Sequence, residues 1–123
     1  MDGEVMYVLP KADEVVIPIE KFTKYVLDPK NSKGKHAAFE KALGYNLSNV
    51  RLLIENIANN LTNYPAVKKG DIGFGETYAV LMLLTGVNGK KANVMTSWID
   101  DNKTGKMRLT SAYVKKGRVE DYD

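Results

Sequence analysis

The chain has 123 residues, of which 44% are hydrophobic and 27% are charged, so it can form one compact domain with a single core. It contains no cysteine and one histidine, which excludes disulfides, thiolate zinc sites and multi-histidine metal sites. Eighteen basic against 15 acidic residues give a net charge of +3, a mild indication of a polyanionic partner.

Two short β-prone segments occupy the first eighteen residues, and each is broken by a proline. We interpret residues 1–18 as an edge strand or a linker that precedes a single domain over residues 19–123. The spacing of Ile19, Phe22 and Val26 then predicts a short helix, which Pro29 ends.

Two further helices are predicted after a polar connection. The first spans residues 36–43 and is closed by Gly44, a residue that favours the C-terminal end of helices. The second has the strongest helical periodicity in the chain, from Val50 to Leu61, and Ser48 is its predicted N-cap.

The second half of the chain has the pattern of strands. The glycine-rich residues 67–76 are predicted to form a loop, and the continuous apolar run over residues 77–85 is typical of a central strand covered on both faces. Asn88-Gly89 predicts a type I′ hairpin turn into a strand over residues 90–99. A turn over residues 100–105 leads to a third strand. Helices followed by an antiparallel meander make an α+β fold.

His36 is the candidate for acid/base chemistry, because its side chain alone has an ordinary pKa near neutrality. The alternative is a solvated histidine in a basic loop. The glycine-rich GDIGFG segment, residues 70–75, is a poor phosphate loop, since it precedes a strand and no helix N-terminus follows it.

The last two predicted strands carry hydroxyls, aromatic rings and a guanidinium. Alternation places Thr96 on one face with Trp98, and Arg108 on one face with Thr110. If these faces of the two strands lie on the same side of the sheet, two threonines and an arginine can bind a phosphodiester. The alternative is ordinary strand composition with a solvent-facing arginine. Paired lysines elsewhere would attract RNA in a salt-dependent way.

Three segments together resemble a family of bacterial toxin domains. They are residues 34–45, the long helix with the glycine-rich loop and the strand of Tyr78, and the pair formed by residues 96–99 and 108–114. In this order and spacing they are similar to the C-terminal domains of polymorphic toxins, including those released from contact-dependent growth inhibition effectors.

The resemblance implies a small metal-independent ribonuclease, often directed at tRNA. It also implies a fold like that of barnase, EndoU, colicin E5 and RelE, in which N-terminal helices pack on a curved antiparallel sheet. The partners it implies are a cognate immunity protein and, in some relatives, elongation factor Tu. It implies no cofactor, and a secreted or cell-surface-delivered effector domain that acts in the cytoplasm of a target bacterium.

Eight residues are carried over as candidate site residues. In this hypothesis His36 takes the proton from the ribose 2′-hydroxyl, Arg108 and Lys35 stabilise phosphate charge, and a 2′,3′-cyclic phosphate is left. The candidate catalytic residues are His36, Arg108, Thr96 and Thr110, and the candidate substrate-binding residues are Lys35, Trp98, Tyr113 and Tyr78.

Two other functions compete with this one. A non-enzymatic RNA- or protein-binding module, for example a phage accessory domain, would use the same strand residues only to hold a ligand. An immunity protein is disfavoured, because inhibitors of nucleases are commonly acidic and this chain is positively charged.

Overall fold

A computed structural model describes residues 4–116, which form one antiparallel sheet with a small helical layer. The strands lie in chain order across the sheet: β1 (Val5–Met6), β2 (Ala66–Asp71), β3 (Gly75–Thr85), β4 (Lys91–Asp101) and β5 (Met107–Lys115). Two α-helices, α1 (Lys35–Leu43) and α2 (Val50–Asn60), lie between β1 and β2 in the chain. The α+β class and the antiparallel meander are confirmed.

One face of the sheet packs against the helices and forms the core. Alternate residues of β4 are buried there and pair with alternate residues of β3, as the period of two predicts. The β4 members are Ala92, Val94, Thr96 and Trp98, opposite Leu84, Met82, Val80 and Tyr78. The same core contains the helical side chains Phe39, Leu43, Leu53 and Ile57.

The opposite face of the sheet, here called the open face, is less covered. Leu81 and Leu83 of β3 and Met95 of β4 are only half-buried there. The prediction for β3 is therefore half right: it is the central strand, but only one of its faces is fully buried. The helices that could cover it pack on the other side, in the core.

Strands β2 and β3 together occupy most of the segment predicted as a glycine-rich loop, so that prediction is wrong. Only residues 72–74 connect β2 to β3. Gly70 and Gly75 have φ angles of 119° and 147°, which favour glycine, and the pairing register shifts between Lys68 and Gly70. Glycine here permits a β-bulge inside a paired strand, whereas the composition suggested an open connection.

The N-terminal segment joins both edges of the sheet. β1 pairs with β2 at one edge, in agreement with an edge strand, and Val16 forms a parallel bridge with Arg108 of β5 at the other. Leu9, between them, is fully buried in the core. Residues 1–3 and 117–123, at the ends of the predicted linker and domain, lie outside the described residues.

The helical half follows the predicted order with two changes. A π-helix, Phe22–Val26, forms where a short helix was predicted before Pro29, and α1 ends as predicted at Gly44, with a φ of 81°. Ser48 is not the N-cap. The Asn46 side chain accepts the backbone N–H of Ser48 and caps a 3-10 turn, Leu47–Asn49, from which α2 continues. Among residues 4–116 no helix is long and apolar enough to cross a membrane.

The turn between β3 and β4 lies at Asn88-Gly89 as predicted, but its type differs. Gly89 has a φ of 81°, whereas Asn88 does not have the positive φ that a type I′ turn also requires there. The loop is closed by the N–H of Gly86, which donates to the Lys90 carbonyl at 2.8 Å. A Cβ on Gly86 would overlap the backbone of Leu43, so glycine allows this loop to pack directly on the end of α1.

Candidate nucleic-acid interface

A lysine at the start of α1 approaches a serine and a tyrosine of the edge strand β5. The Lys35 Nζ lies 3.4 Å from the Ser111 Oγ and 6.0 Å from the centroid of the Tyr113 ring. Ser111 is paired across the strands with Ser97, which brings a second hydroxyl to this place. An ammonium group, hydroxyls and a partly exposed aromatic ring are suited to bind a phosphate and a neighbouring base.

Arg108 lies on the same face of β5 as Ser111 and Tyr113. The intervening residues Leu109 and Ala112 are buried in the core, so the three polar side chains project from the open face. Lys35, Arg108, Ser111 and Tyr113 are called the β5 strip below. Its two cations and its hydroxyl groups give this edge of the sheet an affinity for anions.

The Arg108 guanidinium is held by Asp101. Its Nη2 lies 3.3 Å from the Asp101 Oδ2, and the Oδ1 of the same carboxylate accepts the backbone N–H of Lys103 at 2.9 Å. The Lys103 N–H, and then Arg108, keep the pKa of Asp101 below its usual value. Asp101 therefore stays ionised at neutral pH and orients the guanidinium.

His36 lies apart from Arg108, in the helical layer. It lines a cavity of about 210 Å³ together with Leu27 and Leu47, and its Nδ1 lies 2.8 Å from the Oγ of the buried Ser32. The Ser32 Oγ also accepts the backbone N–H of His36. Ser32 therefore fixes the orientation of the imidazole ring through Nδ1, inside this cavity.

Thr96 and Trp98 are core residues and do not share a face with Arg108. Both are completely buried. The Trp98 Nε1–H donates to the Thr96 Oγ1 at 2.8 Å, and the Thr96 hydroxyl donates to the Val80 carbonyl at 2.8 Å. The predicted grip of two threonines and an arginine is therefore not formed, because β4 turns Thr96 toward the helices while β5 turns Arg108 away from them.

Thr110 is the extra residue of a β-bulge. Ser97 pairs with Ser111 and Trp98 pairs with Leu109, which leaves Thr110 without a partner position on β4. The bulge interrupts the alternation from which Thr110 was predicted to share a face with Arg108. Ser111 consequently comes beside Lys35, and regular alternation in the sequence gave no signal for it.

Tyr78 lies almost fully buried on the core face, opposite Lys68 of β2. Burial is the main cause that raises the pKa of its phenol. Lys68 opposes this shift, and the carboxylates of Glu76, Asp100 and Glu4 add to it. Tyr78 therefore faces away from the β5 strip, on the opposite side of the sheet.

The raised pKa of Tyr78 predicts a loss of stability in alkali. An unfolded tyrosine ionises near pH 10, while the folded Tyr78 keeps its proton to higher pH, so above about pH 10 the folded state binds more protons than the unfolded state. The free energy of unfolding should then fall as the pH rises. Urea unfolding of Tyr78→Phe against wild type across this range checks it, and the variant should show the shallower fall. If the free energy of unfolding falls equally steeply with pH in both proteins, Tyr78 is not the group responsible.

Comparison with known proteins gives a family for nearly the whole described chain. The model of a domain of unknown function, DUF6883, matches residues 8–116, a range that includes both helices, strands β2 to β5 and all of the β5 strip. No curated protein and no solved structure matches the chain. The chain therefore belongs to the DUF6883 family.

Proposed function

We propose that the chain is a metal-independent ribonuclease, the toxic domain of a bacterial antagonism effector, and that RNA binds along the β5 strip. The observation that supports this is the approach of Lys35 to Ser111 and Tyr113 on the face that also carries Arg108. Helices on one face of an antiparallel sheet agree with the barnase-like fold that the resemblance implies, and that finer fold assignment is part of the proposal.

The RNA backbone is held by the two cations of the strip. Lys35 neutralises phosphate charge, and Ser111 beside it adds a hydroxyl donor. Arg108, whose charge is partly balanced by Asp101, donates from the guanidinium N–H groups that Asp101 does not occupy. The basic surface continues beyond the strip, where Lys41, Lys90 and Lys91 line a cavity of about 360 Å³ between α1 and the start of β4. These three lysines add positive charge beside Val114 of β5, on the side of the sheet that carries α1.

Cleavage uses Lys35 as the proton donor. Its ammonium offers N–H donors and lies 3.4 Å from the Ser111 Oγ and 6.0 Å from the centroid of the Tyr113 ring. The ribose 2′-oxygen attacks the phosphorus and its proton passes to water, while the bond from phosphorus to the 5′-oxygen breaks. The departing 5′-oxygen takes a proton from Lys35, which recovers it from solvent, and the product is a 2′,3′-cyclic phosphate.

The substrate and partners follow from the resemblance and belong to the same proposal. The RNA is a tRNA, the chain acts in the cytoplasm of a target bacterium after delivery from a secreted or surface effector, and an immunity protein blocks the β5 strip. A blocking protein would be acidic, to match the cations of the strip. Elongation factor Tu is the candidate host factor.

The test is cleavage of tRNA by the purified chain in EDTA. We expect cleavage to persist, with products ending in a 2′,3′-cyclic phosphate, since the chemistry uses only side chains and water. Lys35→Met prepared in parallel controls for contaminating nuclease, because contamination would cleave in both samples. Activity that chelation abolishes and magnesium restores would overturn this mechanism.

A non-enzymatic RNA-binding module is the second candidate, and the position of His36 favours it. The histidine is tied to Ser32 in a separate cavity, so the β5 strip itself offers lysine, arginine, serine and tyrosine to a ligand. Such a set binds RNA without a general base beside the 2′-hydroxyl. RNA that is bound but left intact in the same experiment would support this function.

A further inference from the structure

A cavity of about 220 Å³ opens at the end of the sheet, between the β2–β3 and β4–β5 connections. It is called the loop pocket below. Arg108 of the β5 strip forms part of its wall, so the cavity adjoins the proposed path of the RNA backbone. The residues that line it are Gly73, Phe74, Asp101, Asn102, Lys103 and Arg108.

The walls of the loop pocket are fixed by hydrogen bonds. The backbone N–H of Asn102 donates to the Phe74 carbonyl at 2.9 Å and so ties the two connections together. The N–H of Gly73 donates to the Asp71 carboxylate at 2.7 Å, and Asp101 holds both Lys103 and Arg108. The free-energy cost of ordering the pocket residues when a ligand binds is therefore small.

Phe74 presents an aromatic ring at the pocket and remains 67% exposed. An exposed apolar residue by itself needs no explanation, and Ile72 on the same connection is 62% exposed without lining the cavity. Phe74 differs because it lines a preformed space that Arg108 also lines. A flat aromatic ligand that enters this space covers the ring.

We propose that the loop pocket binds one unpaired nucleobase of the RNA, stacked on Phe74, next to the phosphate held by Arg108. This rests on the proposed function for the identity of the polymer. A base fits better than a second phosphate because Asp101 already occupies part of the Arg108 guanidinium, while the apolar surface of Phe74 matches a base and not an anion. The base is neutral, its face stacks on an aromatic ring, and the amide of Asn102 offers a donor and an acceptor to its edge.

The pocket is tested by binding of single-stranded 2′-O-methyl hexanucleotides of A, C, G or U, which lack the attacking hydroxyl and cannot be cleaved. Phe74→Ala should weaken binding of the preferred sequence by roughly 5- to 150-fold, the usual effect of removing one stacked base. Phe74→Trp should restore it. Ile72→Ala, a change at a similarly exposed residue of the same connection, should bind as wild type does.

The contrary outcomes separate this pocket from the proposed function. Wild-type affinity in Phe74→Ala, an equal loss in Ile72→Ala, or failure of the wild-type chain to bind any of the four oligonucleotides overturns the pocket. If tRNA is still cleaved in EDTA in those cases, the ribonuclease proposal stands without the pocket. If the oligonucleotides bind in the expected pattern but tRNA is not cleaved, the pocket proposal stands and the ribonuclease proposal is rejected.

Discussion

Replacement of Lys35 by methionine should lower the rate of RNA cleavage by roughly 10²–10⁴-fold, the usual contribution of a positioned proton donor or acceptor. The reason is its place in the β5 strip, where its ammonium lies between Ser111 and the Tyr113 ring. Methionine keeps most of the aliphatic side chain and removes the charge. Single-turnover cleavage of tRNA in EDTA measures the chemical step separately from product release.

Lys41→Met is the matched control for this prediction. Lys41 is on the same helix and loses the same charge, but its side chain lines the cavity beside Lys90 and Lys91 and not the strip. We expect it to weaken RNA binding slightly and to leave the single-turnover rate at saturation unchanged. A Lys35→Met protein that cleaves at the wild-type rate would remove Lys35 from the chemistry.

His36→Ala decides which of two adjacent residues takes part in proton transfer. If His36 were the general base, its loss would also cost roughly 10²–10⁴-fold in rate. The structure instead favours a small effect, because the ring is bonded to Ser32 at Nδ1 and lines a cavity that contains none of the β5 strip. A large loss in His36→Ala with a small one in Lys35→Met would reverse the assignment made here.

The strands could be predicted where the hydrophobic period was regular. Alternation along β4 places Ala92, Val94, Thr96 and Trp98 on one face, and the structure has them together on the buried face. The position of the Asn88-Gly89 turn and the extent of α2 could also be predicted. Asn-Gly is a strong turn signal, and the residues after Val50 have a strong helical spacing. Each of these features depends on neighbours along the chain.

The features that could not be predicted depend on pairing between distant segments. β2 is a strand because it has β1 on one side and β3 on the other, although Gly70 and two adjacent lysines weaken its own strand propensity. The bulge at Thr110 shifts the face of every residue that follows it in β5. This single residue decides that Ser111, and not Thr110, lies beside Lys35.

The residues of the candidate site could be predicted only in part, because the sequence alone does not show which face of each strand is buried. Lys35, Arg108 and Tyr113 were singled out from the sequence and lie on one surface of the structure. Thr96 and Trp98 were selected with them, from strand alternation and from the resemblance, although β4 places both on the face that carries apolar Val94. A polar side chain at such a position is a candidate for a buried hydrogen bond before it is a candidate for catalysis.

Trp98→Ala should be the most destabilising single change in the sheet, at about 3–5 kcal/mol in the free energy of unfolding, the usual range for a large aromatic removed from a core. Trp98 is completely buried, and the change also leaves the Thr96 hydroxyl without one of its two partners. Urea unfolding followed by circular dichroism measures the loss. Met107→Ala, a buried aliphatic control on β5, should cost less than Trp98→Ala.

Thr96→Val then tests what the Thr96–Trp98 pair contributes. Valine has the shape of threonine but accepts no hydrogen bond, so the buried Trp98 Nε1–H is left unpaired, at a cost of about 1–3 kcal/mol. If the pair is structural, Thr96→Val is less stable but binds and cleaves RNA as wild type does, measured at a temperature where both are fully folded. A folded Thr96→Val protein with its cleavage rate reduced in the way expected for Lys35→Met would contradict this, because it would require the core face of the sheet to reach the substrate.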